Sequence, residues 1–206
     1  MIIVPDDPAR ANQDDGLKAN VLKVFDGDGF LANIWNPFRE AWVPRIPFRF
    51  VFIDAPEIEQ PFGPESRAFL HRLILGNTLR LDLIFKGSAD GVPFDQYKRV
   101  LCMGYLTQEM QRGSIKYYLN GSCNEGTVQI ARPATRSIEL EMIVNGWAWV
   151  VEQYTFDREA EYFAAQDDAQ RHRRGLWSSD NPEPPWNFKR RQRQKKRAAA
   201  EQGTLF

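Results

Sequence analysis

Between residues 20 and 106, short apolar blocks recur at spacings too tight for helices. The blocks at 20–25, 29–35, 48–53, 78–85 and 99–106 are rich in β-branched and aromatic side chains, which predicts five strands. Three stretches show helical signals instead. Gly63-Pro64 opens one, with Pro pre-set for a first helical turn and Gly76 after its end. Residues 138–144 form a second, closed by Gly146, and 157–173 a third, with Asp157 as N-cap and Gly175 as C-cap. Short strands with a helix between the third and fourth suit a five-stranded OB-fold β-barrel of the α+β class. Residues 108–136 fall outside that plan. Alternation at Ile115-Lys116-Tyr117-Tyr118 and Val128-Gln129-Ile130-Ala131, around Asn120-Gly121, predicts an extra hairpin there.

The third strand carries unusual chemistry. Phe48-Arg49-Phe50-Val51-Phe52-Ile53 buries an arginine and runs into Asp54-Ala55-Pro56-Glu57. An arginine inside an apolar run is costly unless an anion meets it, either a phosphate or a structural carboxylate partner. Carboxylates at a strand end suit a hard cation, proton transfer, or both. Upstream, Asp26-Gly27-Asp28-Gly29 joins two apolar runs. A tight turn uses one Asp for its own bonding, which leaves the other at the start of a strand. Downstream, Asp95-Gln96-Tyr97-Lys98-Arg99 places a tyrosine and a second arginine before the fifth strand. Strict alternation puts residues 49 and 54 on opposite faces, so a bulge or bend is required to bring Asp54 round.

In this order, these segments resemble the staphylococcal nuclease (thermonuclease-like) family. Phe62-Gly63-Pro64-Glu65-Ser66, Asn145-Gly146-Trp147-Ala148 and Arg174-Gly175-Leu176-Trp177-Ser178 extend the likeness from about Ala19 to Ser178. The resemblance implies the same barrel with three helices. It also implies a phosphodiesterase acting on DNA and RNA with little sequence preference, dependent on Ca²⁺ and leaving 3′-phosphates. Asp28, Asp54 and the backbone carbonyl of Ala55 are the implied metal ligands. Arg49 and Arg99 are the implied phosphate clamps, and Glu57 the general base. Tyr97 and Tyr154 are candidates to contact nucleic acid. Family members often carry Thr where Ala55 stands, and basic or aromatic residues where Gln96 and Glu152 stand. Residues 36–47 make a longer hairpin than is usual in the family. The rival reading is an OB-fold adaptor that binds nucleic acid without cutting it.

Charge adds one more element. The chain has 27 basic and 27 acidic side chains, but seven of the basic ones fall within residues 189–197 and none of the acidic ones do. The sequence therefore predicts a flexible segment over 1–18, a domain over 19–188 and a basic, disordered tail over 189–206. In that tail Lys189, Arg190, Arg191, Arg193, Lys195, Lys196 and Arg197 are positioned to meet a polyanion. No apolar run is long enough to cross a membrane, and no secretory signal is visible. Cys102 and Cys123 lack metal-site spacing, and a reducing, cytoplasmic setting and a monomer are expected.

Overall fold

The computed structural model describes residues 16–84, 94–108, 115–119, 122–128, 134–153 and 155–203. Most of the N-terminal segment, and Tyr154, lie outside the described residues. Strands β1 (Leu17–Val24), β2 (Gly29–Asn36) and β3 (Ala41–Phe50) form an antiparallel meander, and β5 (Thr78–Leu83) pairs with β1 and with β6 (Val100–Gln108). A parallel pairing of β3 with β6, from Phe48↔Val100 to Phe50↔Cys102, closes the five strands into a barrel. Inward positions fill it. Phe30 stacks on Phe48 at 5.3 Å and tilts against Phe50 at 5.1 Å, all three rings fully buried.

Helices cover the barrel: α1 (Gly63–Ile74), α2 (Ile138–Val144) and α3 (Glu159–Arg171). Helix α1 buries Ser66, Leu70 and Ile74, the i, i+4, i+8 face of an amphipathic helix. Its start is sterically tight, because a Cβ on Gly63 would lie 1.9 Å from the Glu57 carbonyl oxygen. Only glycine lets α1 press against the loop that carries Glu57. Helix α3 starts two residues later than expected, with Arg158 at its N-cap, and ends at His172 with Arg173 in the left-handed conformation.

Two strand expectations shift. The third strand was expected over 48–53, but β3 begins at Ala41 and stops at Phe50. Residues 51–52 bend, and β4 (Ile53–Asp54) pairs with β10 (Trp149–Val150). Residues 36–47 lengthen the β2–β3 hairpin. Its tip is held by Asn36 Oδ1, which accepts from the Phe38 and Arg39 N–H groups. In the insertion, β7 (Ile115–Leu119) and β8 (Ser122–Val128) pair antiparallel as a separate ribbon, and β9 (Ala134–Ser137) adds to the edge of β6. The second arm of that ribbon thus lies before residues 128–131, where the alternation had placed it.

The tail departs furthest. Where a disordered segment was expected from residue 189, a fourth helix, α4, runs over Pro185–Gly203. Pro185 is a favoured helix opener, and Ala, Gln, Lys and Arg are strong helix formers. These outweigh the like-charge repulsion that pointed to a coil. Among the described residues no helix is long and apolar enough to span a membrane. Cys102 is buried and free.

One buried acid makes stability pH-dependent. Glu139 is fully buried; its Oε2 accepts from Gly104 N–H at 3.0 Å, and its Oε1 has no hydrogen-bond partner. Burial pushes its carboxyl up to about 8. The folded state therefore holds a proton that the unfolded chain releases near 4.5. This group's share of stability is complete below pH 4.5 and is lost as pH rises through 8. Glu139→Gln should gain on wild type across that window, by on the order of a few kcal/mol at its upper end. Urea midpoints of both proteins from pH 5 to 9 test this; a difference independent of pH would refute it.

Candidate active site

The turn after β1 sets the first carboxylate. Asp28 N–H donates to Asp26 Oδ1 at 3.1 Å, so Asp26 does the turn's bonding and the Asp28 side chain is free to point inward. A Cβ on Gly27 would lie 2.0 Å from Ser66 Oγ and 2.5 Å from the Ala55 Cβ, so the turn is pinned between α1 and the strand end. The bend at 51–52 then removes the parity problem between residues 49 and 54. Arg49 Nη2 donates to Asp28 Oδ2 at 3.1 Å and to Asp54 Oδ1 at 2.9 Å. Ala55 N–H also donates to Asp28 Oδ2, at 3.3 Å.

Arg99 arrives from the turn before β6. Asp95 Oδ1 accepts from the Tyr97 and Arg99 N–H groups, and Asp95 Oδ2 accepts from Arg99 Nε at 2.8 Å. This holds the guanidinium by one edge, 5.5 Å from the Tyr97 ring centre, and leaves its other nitrogens for a ligand. Glu57 is partly exposed beside these groups. Its N–H donates to Gln60 Oε1 at 3.3 Å and its carbonyl accepts from Gln60 N–H at 2.9 Å. Asp26, Asp28, Arg49, Glu57, Tyr97 and Arg99 line one cleft of about 770 Å³. A smaller pocket of about 340 Å³ shares Arg49 with this cleft and has Asp54, Glu152 and Trp186 in its walls.

The far wall of the cleft is α4. Lys189, Arg193 and Lys196 line it, one helical face at i, i+4, i+7. Lys189 Nζ lies 2.8 Å from Asp54 Oδ1 and 3.0 Å from Glu57 Oε1. Arg191 instead pairs with Glu183, and Arg190 lies with it on another face beside Asn181. Lys195 and Arg197 are exposed.

The site holds an excess of buried negative charge. Burial, and then the charge of Asp28, push Asp26 up to about 7 and Asp54 up to about 6. Burial would raise Asp28 too, but Arg49, Lys189 and Arg99 outweigh it and hold that carboxyl below the usual range. Arg49 is held more basic than usual, chiefly by Asp28. Crowded oxygen donors of this kind, with no nitrogen or sulfur ligand beside them, fit a hard cation such as Ca²⁺ or Mg²⁺. Among the described residues no group of three or more His, Cys, Asp or Glu side chains is gathered tightly enough to hold a metal alone. Water or a phosphate oxygen would have to complete the shell.

Residues 47–179 match the sequence model of the family described as staphylococcal nuclease homologue. The chain belongs to that family. Over 141 residues it is 31% identical to a rice (Oryza sativa subsp. japonica) protein named Probable staphylococcal-like nuclease, covering 68% of this chain and 28% of that one. An uncharacterized endonuclease of Haemophilus influenzae is 30% identical over 173 residues, 84% of this chain and 73% of that one. A micrococcal nuclease of Shigella flexneri is 25% identical over 194 residues, covering 92% and 88%. The chain thus spans little more than a quarter of the rice relative's length and most of the bacterial ones.

The match includes Arg49, Asp54, Glu57 and Arg99 but neither Asp28 nor α4. Sequence reasoning named Asp28, Arg49, Asp54, Glu57, Tyr97 and Arg99 from separate segments, and the fold gathers them. It missed Asp95 as the residue that aims Arg99, although a turn with acid and base four apart was a readable signal. It also placed Lys189 in a disordered, polyanion-binding tail, where the structure puts its amine between two site carboxylates.

Proposed function

We propose that this chain is a nuclease: a Ca²⁺-dependent phosphodiesterase that hydrolyses DNA and RNA with little sequence preference and leaves 3′-phosphate ends. The observation that carries this reading is that Arg49 hydrogen-bonds both Asp28 and Asp54, while Asp28 and Arg49 line one cleft with Glu57 and Arg99. Asp28, Asp54 and the Ala55 carbonyl would hold the cation. When bound, it supplies charge neutralisation at the phosphate and an acidified water.

The chain's own groups do the rest. Glu57 accepts the proton of the attacking water. Arg49 and Arg99 donate to the non-bridging oxygens, where negative charge builds as water adds to phosphorus and the 5′-oxygen leaves. Tyr97, well exposed on the rim, contacts the strand beside the scissile phosphate. An adaptor that only binds nucleic acid has no use for this set held in one place. Plasmid DNA and RNA incubated with the protein should be cut in Ca²⁺ and spared by at least ~10²-fold in excess chelator. Full activity in chelator would refute the cation's role, and failure to cut with any divalent cation would refute the nuclease.

A further inference from the structure

We propose that Lys189 is a third phosphate-binding cation of the active site, delivered by α4; this rests on the nuclease reading above. Position is the first argument. The ammonium sits 2.8 Å from Asp54 and 3.0 Å from Glu57, facing the cleft into which Arg49 and Arg99 project. A phosphate bound between the two arginines and attacked by water from Glu57 lies within reach of this amine.

The second argument is that the amine is held in place rather than trailing from a loose end. Trp186 packs edge-on to Trp149, with centroids 6.4 Å apart, and Trp149 pairs in the β4–β10 ribbon with Asp54 itself. Phe188 is buried. Gln60 ties the two sides together: its Oε1 accepts from Glu57 N–H and its Nε2 donates to the Glu183 carbonyl, two residues before α4. Arg191 clamps the Glu183 side chain. The start of α4 is therefore fixed to both the strand that carries Asp54 and the loop that carries Glu57. With a cation on Asp54, the ammonium exchanges that carboxylate for a phosphate oxygen while remaining beside Glu57.

The test uses the full chain with Ca²⁺ and bis(p-nitrophenyl) phosphate, a phosphodiester too small to reach Arg193 or Lys196. Lys189→Met should lose ~10²-fold in kcat, the effect of removing one donor to a charge that grows in the transition state. Lys189→Arg should restore most of that loss. Lys189→Gln, one bond shorter but still an N–H donor toward the carboxylates, should fold like wild type by thermal melting and yet be as slow as Lys189→Met. Should Lys189→Met match or exceed wild type, or should the only change be a lower Ca²⁺ requirement, the amine is a plug on the metal site and the proposal is wrong. Loss of activity in Lys189→Arg equal to that in Lys189→Gln would also overturn it. A wild-type chain inert toward phosphodiesters removes the nuclease reading itself, and this role with it.

Discussion

Glu57→Gln should fold and bind nucleic acid as wild type does, while cleaving ~10²–10⁴-fold more slowly. The substitution is nearly isosteric and removes only the proton acceptor. The loop around it is secured by backbone and by Gln60: the residue 57 N–H and carbonyl are both engaged by Gln60, and Gly63 packs against that carbonyl. The side chain is one-third exposed, and its ion pair with Lys189 contributes no more than ~1 kcal/mol at such exposure. Stability and rate are therefore expected to separate, with melting unchanged and kcat collapsed. Single-turnover cleavage of a labelled oligonucleotide measures the rate. A variant within tenfold of wild type would remove Glu57 from the role of base, and one that fails to fold would make it structural.

The barrel was readable because its information is local. The Asp-Gly turn and Gly63-Pro64 each act over a few residues and fall within a residue or two of the elements they announced, whereas alternation found the strands but missed the start of β3 by seven residues. The β3 bend was readable only as a requirement. Chemistry demanded that Asp54 turn to the side of Arg49, and nothing in Phe50-Val51-Phe52 says where. The bend follows from a distant event, the capture of Ile53–Asp54 by Trp149–Val150. The site was legible to the extent that costly residues advertise themselves, as a buried arginine does. Asp26 did not: a turn aspartate looks the same in sequence whether it is solvated or, as here, half-buried beside Asp28 and raised to about 7.

Helix α4 shows where a local reading fails. A block of seven basic residues reads as a solvated tail when only its own charges are counted. Its place is set by partners far off in sequence: Trp149 for Trp186, Gln60 for Glu183, and Asp54 with Glu57 for Lys189. With seven basic residues gathered at 189–197, the rest of the chain is left with more acid than base, and part of that excess is concentrated at the site. One face of α4 answers it there. The readable trace was the Pro184-Pro185 start followed by a stretch free of Gly and Pro through residue 202.

Arg49→Lys should cost ~10²–10³-fold in kcat with little change in KM, although the charge is conserved. In the resting site one terminal nitrogen, Nη2, bridges Asp28 and Asp54, which leaves the remaining N–H donors of the planar fork for a phosphate. A lysine ammonium has a single nitrogen and cannot satisfy both carboxylates and two phosphate oxygens at once. The side chain is largely buried, so the change also leaves Asp28 and Asp54 less well paired. A melting temperature lowered by the equivalent of ~1–3 kcal/mol should accompany the rate loss. Ca²⁺ should return part of that stability, because a cation on Asp28 and Asp54 replaces what Arg49 supplied, but it should not return the rate, which depends on the fork. Kinetics on a short oligonucleotide and melting curves with and without Ca²⁺ separate the two effects. If Arg49→Lys turned over at the wild-type rate, or if Ca²⁺ restored rate and stability together, Arg49 would be a structural partner of the two aspartates and the phosphate clamp would fall to Arg99 and Lys189.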